Sequence, residues 1–170
     1  MNKSISIGLW DSAFLKPYVD AFVQSDVFDV TVTSPDRCEQ LALAGMIDVG
    51  LMRPHLVLLH EDDLDVYGES AISSWRFPYA QLVLDAPIGT PITSIQYCSK
   101  DQLHAIVGRI VLNEHYGFEP QFVPADTPEL HGDMTGFINT DIDHGAGVGK
   151  TVLDLGQEWF ELTGYPMVWG

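Results

Sequence analysis

The run His144-Gly145-Ala146-Gly147-Val148-Gly149-Lys150-Thr151 is the stretch whose residue types first suggest chemistry. A phosphate-binding loop cradles an anion with backbone N–H groups and needs a glycine five residues before the glycine of its Gly-Lys pair. His144 stands there instead, so the run reads as a surface loop. Asp133, Asp141, Asp143 and His144 carry donor atoms that a metal accepts. Yet the spacing of a calcium loop and the HExxH pair of a zinc hydrolase are both absent. His55, His60, His104, His115, His131 and His144 are scattered, and no GxSxG marks a hydrolase nucleophile. His104 and His115 fall on one helix after Ser99, where a surface role is expected. The expectation is therefore a chain without metal or cofactor. What remains are polar side chains at helix starts: Asp11 and Ser12 before the first helix, Ser99 before a later one.

The elements that must position them follow from periodicity. Residues 4–9 alternate polar and apolar, as a strand with one buried face does. A helix follows, with Phe14, Val19, Phe22 and Val23 on its apolar face. Residues 28–33 form a second alternating strand. Ser34-Pro35 then caps and opens a helix that ends at Gly45. Residues 47–52 read as a strand buried on both faces. The order βαβαβ points to a wound α/β sheet. Residues 56–59 fit a short helix or strand, and the acidic stretch 61–65 fits a solvated loop or helix start. Residues 71–76 and 80–84 read as strands joined by a turn at Phe77-Pro78. The turn-rich segment 85–91 is where the chain is expected to pass from a first unit, 1–88, to a second, 89–170. Beyond it the spacing predicts a strand over 92–97 and a capping box, Ser99-Lys100-Asp101-Gln102. The helix that follows carries Leu103, Ile106, Val107, Ile110 and Val111 on one face and ends at Gly117. Strands are predicted at 121–123 and 134–139, then a loop over 140–150, a last helix from Asp154 to Gly164, and a closing strand over 165–169.

Composition narrows the class. A net charge of −16 repels phosphate backbones and argues against nucleic-acid binding. Apolar residues make up 46%, enough for a core and unlike a disordered chain. No apolar run nears the roughly 18 residues of a membrane span. The start enters a strand with no signal-peptide core. Cys38 and Cys98 lack a CxxC spacing and read as free thiols in a reducing compartment. The expected location is the cytoplasm, without membrane attachment.

Several segments together resemble the chorismate dehydratase family of menaquinone biosynthesis. Asp154-Leu155-Gly156-Gln157-Glu158-Trp159, then Leu162-Thr163-Gly164-Tyr165-Pro166-Met167-Val168, is similar to that family's DLGxxW and LTGxPFV run. In this run Trp159 is expected to pack inward, with Gly164 closing the helix. The helix–Gly45–Ile47-Asp48 unit and Glu119-Pro120-Gln121-Phe122 match in order. The resemblance implies a two-lobed α/β fold of the type 2 periplasmic-binding-protein kind, each lobe a mostly parallel sheet flanked by helices. It implies that the second lobe ends at a hinge strand near Pro166. The family continues beyond that segment, so the resemblance also implies a first lobe incomplete at its C-terminus. The expectation is a homodimer that covers the incomplete lobe, or a fragment.

The resemblance further implies a small anionic metabolite held between the lobes. Ser12, Lys16, Arg53, Ser74, Arg76 and Ser99 would bind it, and Asp11, or alternatively Asp101, would act as base. Lys16-Pro17 keeps the family's basic-Pro pair, but the asparagine of the family's first loop is gone. The family's Ser-x-Thr-Ser is here Ser99-Lys100-Asp101-Gln102, which sets a carboxylate where an anion would sit. Three readings stay open: an enzyme eliminating water from chorismate, a non-catalytic solute-binding protein of the same fold, and a diverged or truncated paralogue.

Overall fold

The structure is a computed structural model that describes residues 4–67, 71–130, 135–140 and 150–170. The glycine run up to Gly149, and with it Asp133, Asp141, Asp143, His131 and His144, lies outside the described residues. The chain divides into two compact units, Met1–Ala71 with Trp169–Gly170, and Ile72–Val168.

In the first unit, β1 (Ile5–Trp10), β2 (Phe28–Thr33) and β3 (Val49–Gly50) form a parallel sheet of order β2-β1-β3. α1 (Lys16–Val23) and α2 (Pro35–Leu43) connect the strands, and α3 (Pro54–Leu59) follows β3. The Ser34 hydroxyl accepts from the Arg37 backbone N–H, and Pro35 sits in the first helical turn, as the sequence predicts. Pro54 plays the same part for α3, so residues 56–59 resolve as helix. The acidic stretch after it is a turn in which Asp63 and Leu64 both donate their backbone N–H to the His60 carbonyl. Strand β3 is shorter than the predicted 47–52 and only half-buried. Just before it, Ser6 donates both its backbone N–H and its hydroxyl to Asp48 Oδ2, at 2.9 and 2.7 Å, while the Asp48 backbone N–H donates to the Ser6 carbonyl at 3.0 Å. Ile7, Trp10, Leu15, Cys38 and Leu41 make the core. Gly8 has no room for a side chain, because a Cβ there would meet Cys38 Sγ at 2.7 Å.

The second unit holds β4 (Ser73–Ser74), β5 (Gln81–Leu84), β6 (Ser94–Tyr97), α4 (Gln102–Ile110), β7 (Gln121–Pro124), β8 (Thr135–Asn139), β9 (Thr151–Asp154), α5 (Leu155–Thr163) and β10 (Met167–Val168). β4 pairs antiparallel with β10 as a two-stranded ribbon. The others form one sheet of order β7-β6-β8-β5-β9. β6 runs parallel to β7 and β8, while β5 runs antiparallel to β8 and β9. This sheet is mixed rather than mostly parallel, because β5 runs against its neighbours. β5 also places the division of the chain at 71/72 rather than 88/89. Leu82, Val83 and Leu84 are fully buried between two partner strands, so β5 belongs to the second unit's core. The turn after it, where Thr90 donates to the Pro87 carbonyl, links two strands of one sheet.

β9 is a strand that the sequence reading left unassigned, between the loop expected over 140–150 and the last helix expected from Asp154. That helix behaves as read. The Asp154 carboxylate caps it by accepting from Gly156 and Gln157 N–H, and Gly164 closes it at φ 75°. Its buried anchors are Leu155, Gly156 and Glu158, while Trp159 is only half-buried. Helix α4 buries Leu103, Ala105, Val107 and Gly108, and leaves Ile106 exposed. It continues into a π turn, Val111–His115, and stops at Gly117, whose N–H reaches the Asn113 carbonyl. Among the described residues, no helix is long and apolar enough to cross a membrane.

Candidate functional site

In α/β sheets, ligands collect outside the carboxyl ends of the parallel strands, where chains turn away and leave polar groups. In the first unit, those ends carry Asp11-Ser12 after β1, Ser34 after β2 and Arg53 just past β3. The fold therefore brings Asp11, Ser12 and Arg53 to one edge. Asp11 donates its backbone N–H to the Thr33 carbonyl at 2.7 Å, and its side chain is exposed. Ser12 precedes a short 3-10 turn, Ala13–Leu15, and makes no side-chain cap hydrogen bond. Its expected capping role is absent. Lys16 lies on the surface of α1 with its ammonium 3.5 Å from Asp20 Oδ1.

Arg53 is the most heavily committed of these side chains. Its guanidinium donates from Nε to Glu39 Oε1 at 2.8 Å and from Nη2 to Glu39 Oε2 at 2.5 Å, and Nη2 also contacts Asp36. The hydrogen bond to Glu39 holds its pKa above the ordinary arginine value, against the opposing effect of burial. Its charge is matched within the protein by two carboxylates. Behind this edge, buried Trp10 donates its indole N–H to the Leu51 carbonyl at 2.8 Å. Cys38 directs its thiol at the same carbonyl, and burial pushes its pKa up to about 11.

In the second unit, the register places the carboxyl ends of β6, β8 and β9 beside the start of β5, with Gln81 opposite both Asn139 and Asp154. Ser99 follows β6 at this edge, and Arg76 comes shortly before β5. Phe77 N–H donates to both Asp154 oxygens, at 2.9 and 3.0 Å, which fixes the segment that carries Arg76 against the start of α5. Arg76 and Ser99 are exposed, and Ser74 is half-buried in the β4–β10 ribbon. The predicted capping box is replaced by a 3-10 turn, Ser99–Asp101, which makes no side-chain cap to helix α4. Asp101 is nonetheless buried, 3.8 Å from His104 Nδ1. Sequence reading also passed over Asn139, buried at the end of β8 with its amide donating to Gln81 Oε1 at 3.3 Å. A cleft of about 200 Å³ lies by α4, lined by Tyr97, Gln102, Ile106, Arg109 and Phe122. There the Arg109 guanidinium sits 5.1 Å over the Phe122 ring.

A comparison with protein families matches residues 5–170 to the family described as menaquinone biosynthesis. The chain belongs to the menaquinone biosynthesis family. Comparison with curated proteins finds no match. Among solved structures, this family member is similar to protein AF1704 from Archaeoglobus fulgidus, with a TM-score of 0.57 and 15% sequence identity. The alignment covers 98% of this chain and 66% of that chain, so this chain spans about two thirds of the other's length. At that identity the likeness concerns the fold.

Proposed function

We propose that this protein binds a small carboxylate metabolite and that the metabolite is chorismate, from which it eliminates water to leave an enolpyruvyl-linked benzoate. Its two units would be the lobes of a type 2 periplasmic-binding-protein-like fold. The observation that carries the reading is the family match over residues 5–170. The gathering of Asp11 and Ser12 at one sheet edge, and of Arg76 and Ser99 at another, supports it. Elimination asks little of a protein: a weak base to take a ring proton, orientation of the breaking C–O bond, and a proton for the departing hydroxide. Asp11 is the base, because it is exposed at the carboxyl end of β1. Lys16, Arg76 and the hydroxyls of Ser12, Ser74 and Ser99 supply positive charge and hydrogen bonds to the substrate's carboxylates.

A second reading is a protein that binds a carboxylate without turning it over. It is favoured by Arg53, whose charge is matched by Glu39 and Asp36, and by Asp101 beside Ser99. Incubation with chorismate, followed by the product's aromatic absorbance, separates the two. Turnover that Asp11→Asn abolishes supports the enzyme. Absent turnover with a thermal shift of about 2.7 kcal/mol at a hundred times Kd supports the binding protein. If neither turnover nor a thermal shift is seen, both readings fail.

A further inference from the structure

We propose that His115, Glu158 and Glu161 form a site for one divalent cation of the zinc type on the second unit. The donor atoms of the three side chains lie within 4.8 Å of one another. Glu158 and Glu161 stand on adjacent turns of α5, and the π turn that ends α4 packs against that helix.

The charge balance argues for an ion. Glu158 is only 7% exposed, and among the described residues no lysine or arginine forms an ion pair with it. Its Oε2 accepts from the Tyr116 hydroxyl at 2.6 Å and lies 3.4 Å from His115 Nδ1. A buried carboxylate without a matching charge is costly. A bound cation supplies that charge.

The donor set then selects the ion. One imidazole nitrogen and two carboxylates, with a place open for water, suit zinc, while calcium and magnesium take shells of oxygen. Zinc holds such donors at about 2.0–2.2 Å, so the three groups would close in by about an ångström. His115 and Glu161 are exposed and can rotate to do so. Glu161 accepts from Gln157 Nε2 with Oε1, and a carboxylate has a second oxygen for a metal. Tyr116 stands where an orienting partner belongs. Its ring stacks on His115 at 4.7 Å, and its hydroxyl fixes Glu158.

The test is titration of the chelator-treated full chain with zinc chloride by calorimetry, alongside the visible spectrum of the cobalt(II) form. One equivalent should bind, with a tetrahedral cobalt spectrum, and excess magnesium or calcium should not displace it. Glu161→Gln and His115→Ala should each weaken zinc binding at least about tenfold, and Tyr116→Phe should weaken it by about tenfold to a hundredfold. Circular dichroism of each variant checks that the fold is kept, and Glu161→Gln, on an exposed position, is the variant that must fold. The proposal is overturned if no single equivalent binds. Unchanged affinity in both Glu161→Gln and His115→Ala overturns it too, since zinc would then sit on other residues. None of these readouts depends on chorismate.

Discussion

Arg53 closes a two-nitrogen grip on Glu39, with Nε on one carboxylate oxygen at 2.8 Å and Nη2 on the other at 2.5 Å. The Arg53 backbone N–H adds a third hydrogen bond to the same carboxylate at 3.1 Å. Glu39 is only 3% exposed, so this carboxylate ties α2 to the segment after β3. Removing one partner of such a pair strands the other. Glu39→Ala should cost about 3 kcal/mol in urea unfolding, near the low end for buried pairs because Asp36 still meets Arg53. A cost below about 1 kcal/mol would show that solvent already screens the pair.

Cys38 ties stability to alkaline pH. Its thiol is pushed from an ordinary 9.0 up to about 11, chiefly by burial, with Leu51 O pulling the other way and Glu39 adding to the rise. Between those values the unfolded chain has released the proton and the folded chain has not. The folded chain binds more protons there, so stability present below pH 9.0 is lost as pH rises through about 11. The loss is on the order of 2 kcal/mol. It should shrink in Cys38→Ala when unfolding is followed across that window. In the native protein at neutral pH, a thiol reagent should label half-buried Cys98 and spare Cys38.

Gly136 lies in β8 where there is no space for a methyl group. A Cβ would stand 2.7 Å from Ile95 Cδ1, 2.7 Å from Leu84 Cδ2 and 2.8 Å from the Val83 carbonyl oxygen. The side chains can shift, but the carbonyl belongs to the β5 ladder. Gly136→Ala should therefore destabilise the protein by about 1–3 kcal/mol, read as a lower denaturant midpoint at unchanged slope.

Asp101 sets a negative charge beside Ser99 at the start of α4. If the carboxylate ligand docks at that edge, Asp101→Asn should tighten its binding by about fivefold, as removal of one nearby like charge is worth about 1 kcal/mol. Arg76→Ala should weaken it. Calorimetric titration with chorismate checks both, and equal affinities in all three proteins would move the ligand away from this edge.

Much of the fold was legible because its signals are local. The Ser34-Pro35 cap, the Asp154 cap and the stop at Gly164 each act within a turn of the helix they bound. The alternation over β2 also stands in the chain itself. Where local signals fell short, a distant partner decided. Asp48 is held by Ser6, 42 residues away, and Ser99 misses its capping role because the chain tightens into a 3-10 turn there. β9 was missed because a strand of four residues after a glycine-rich run carries too little periodicity to stand out.

The candidate residues divide in the same way. Asp11, Ser12 and Ser99 could be picked out because the ends of strands and starts of helices are visible in a pattern. That Arg53 is held by Glu39, 14 residues away, was not visible. Nor was the meeting of Tyr116 with Glu158, 42 residues apart, in a helix whose sequence served only as a mark of lineage.

By itself, then, the sequence determined the kinds of element, most of their ends and the lineage carried by the Asp154–Pro166 run. Tertiary structure alone decided that β5 runs against both its neighbours within the second sheet, that Arg53 is matched by carboxylates, and that His115 faces Glu158. The reason is reach. Caps, turns and periodicity act over a few residues, whereas strand order and ion pairing are set by which apolar faces close on one another once the chain has folded.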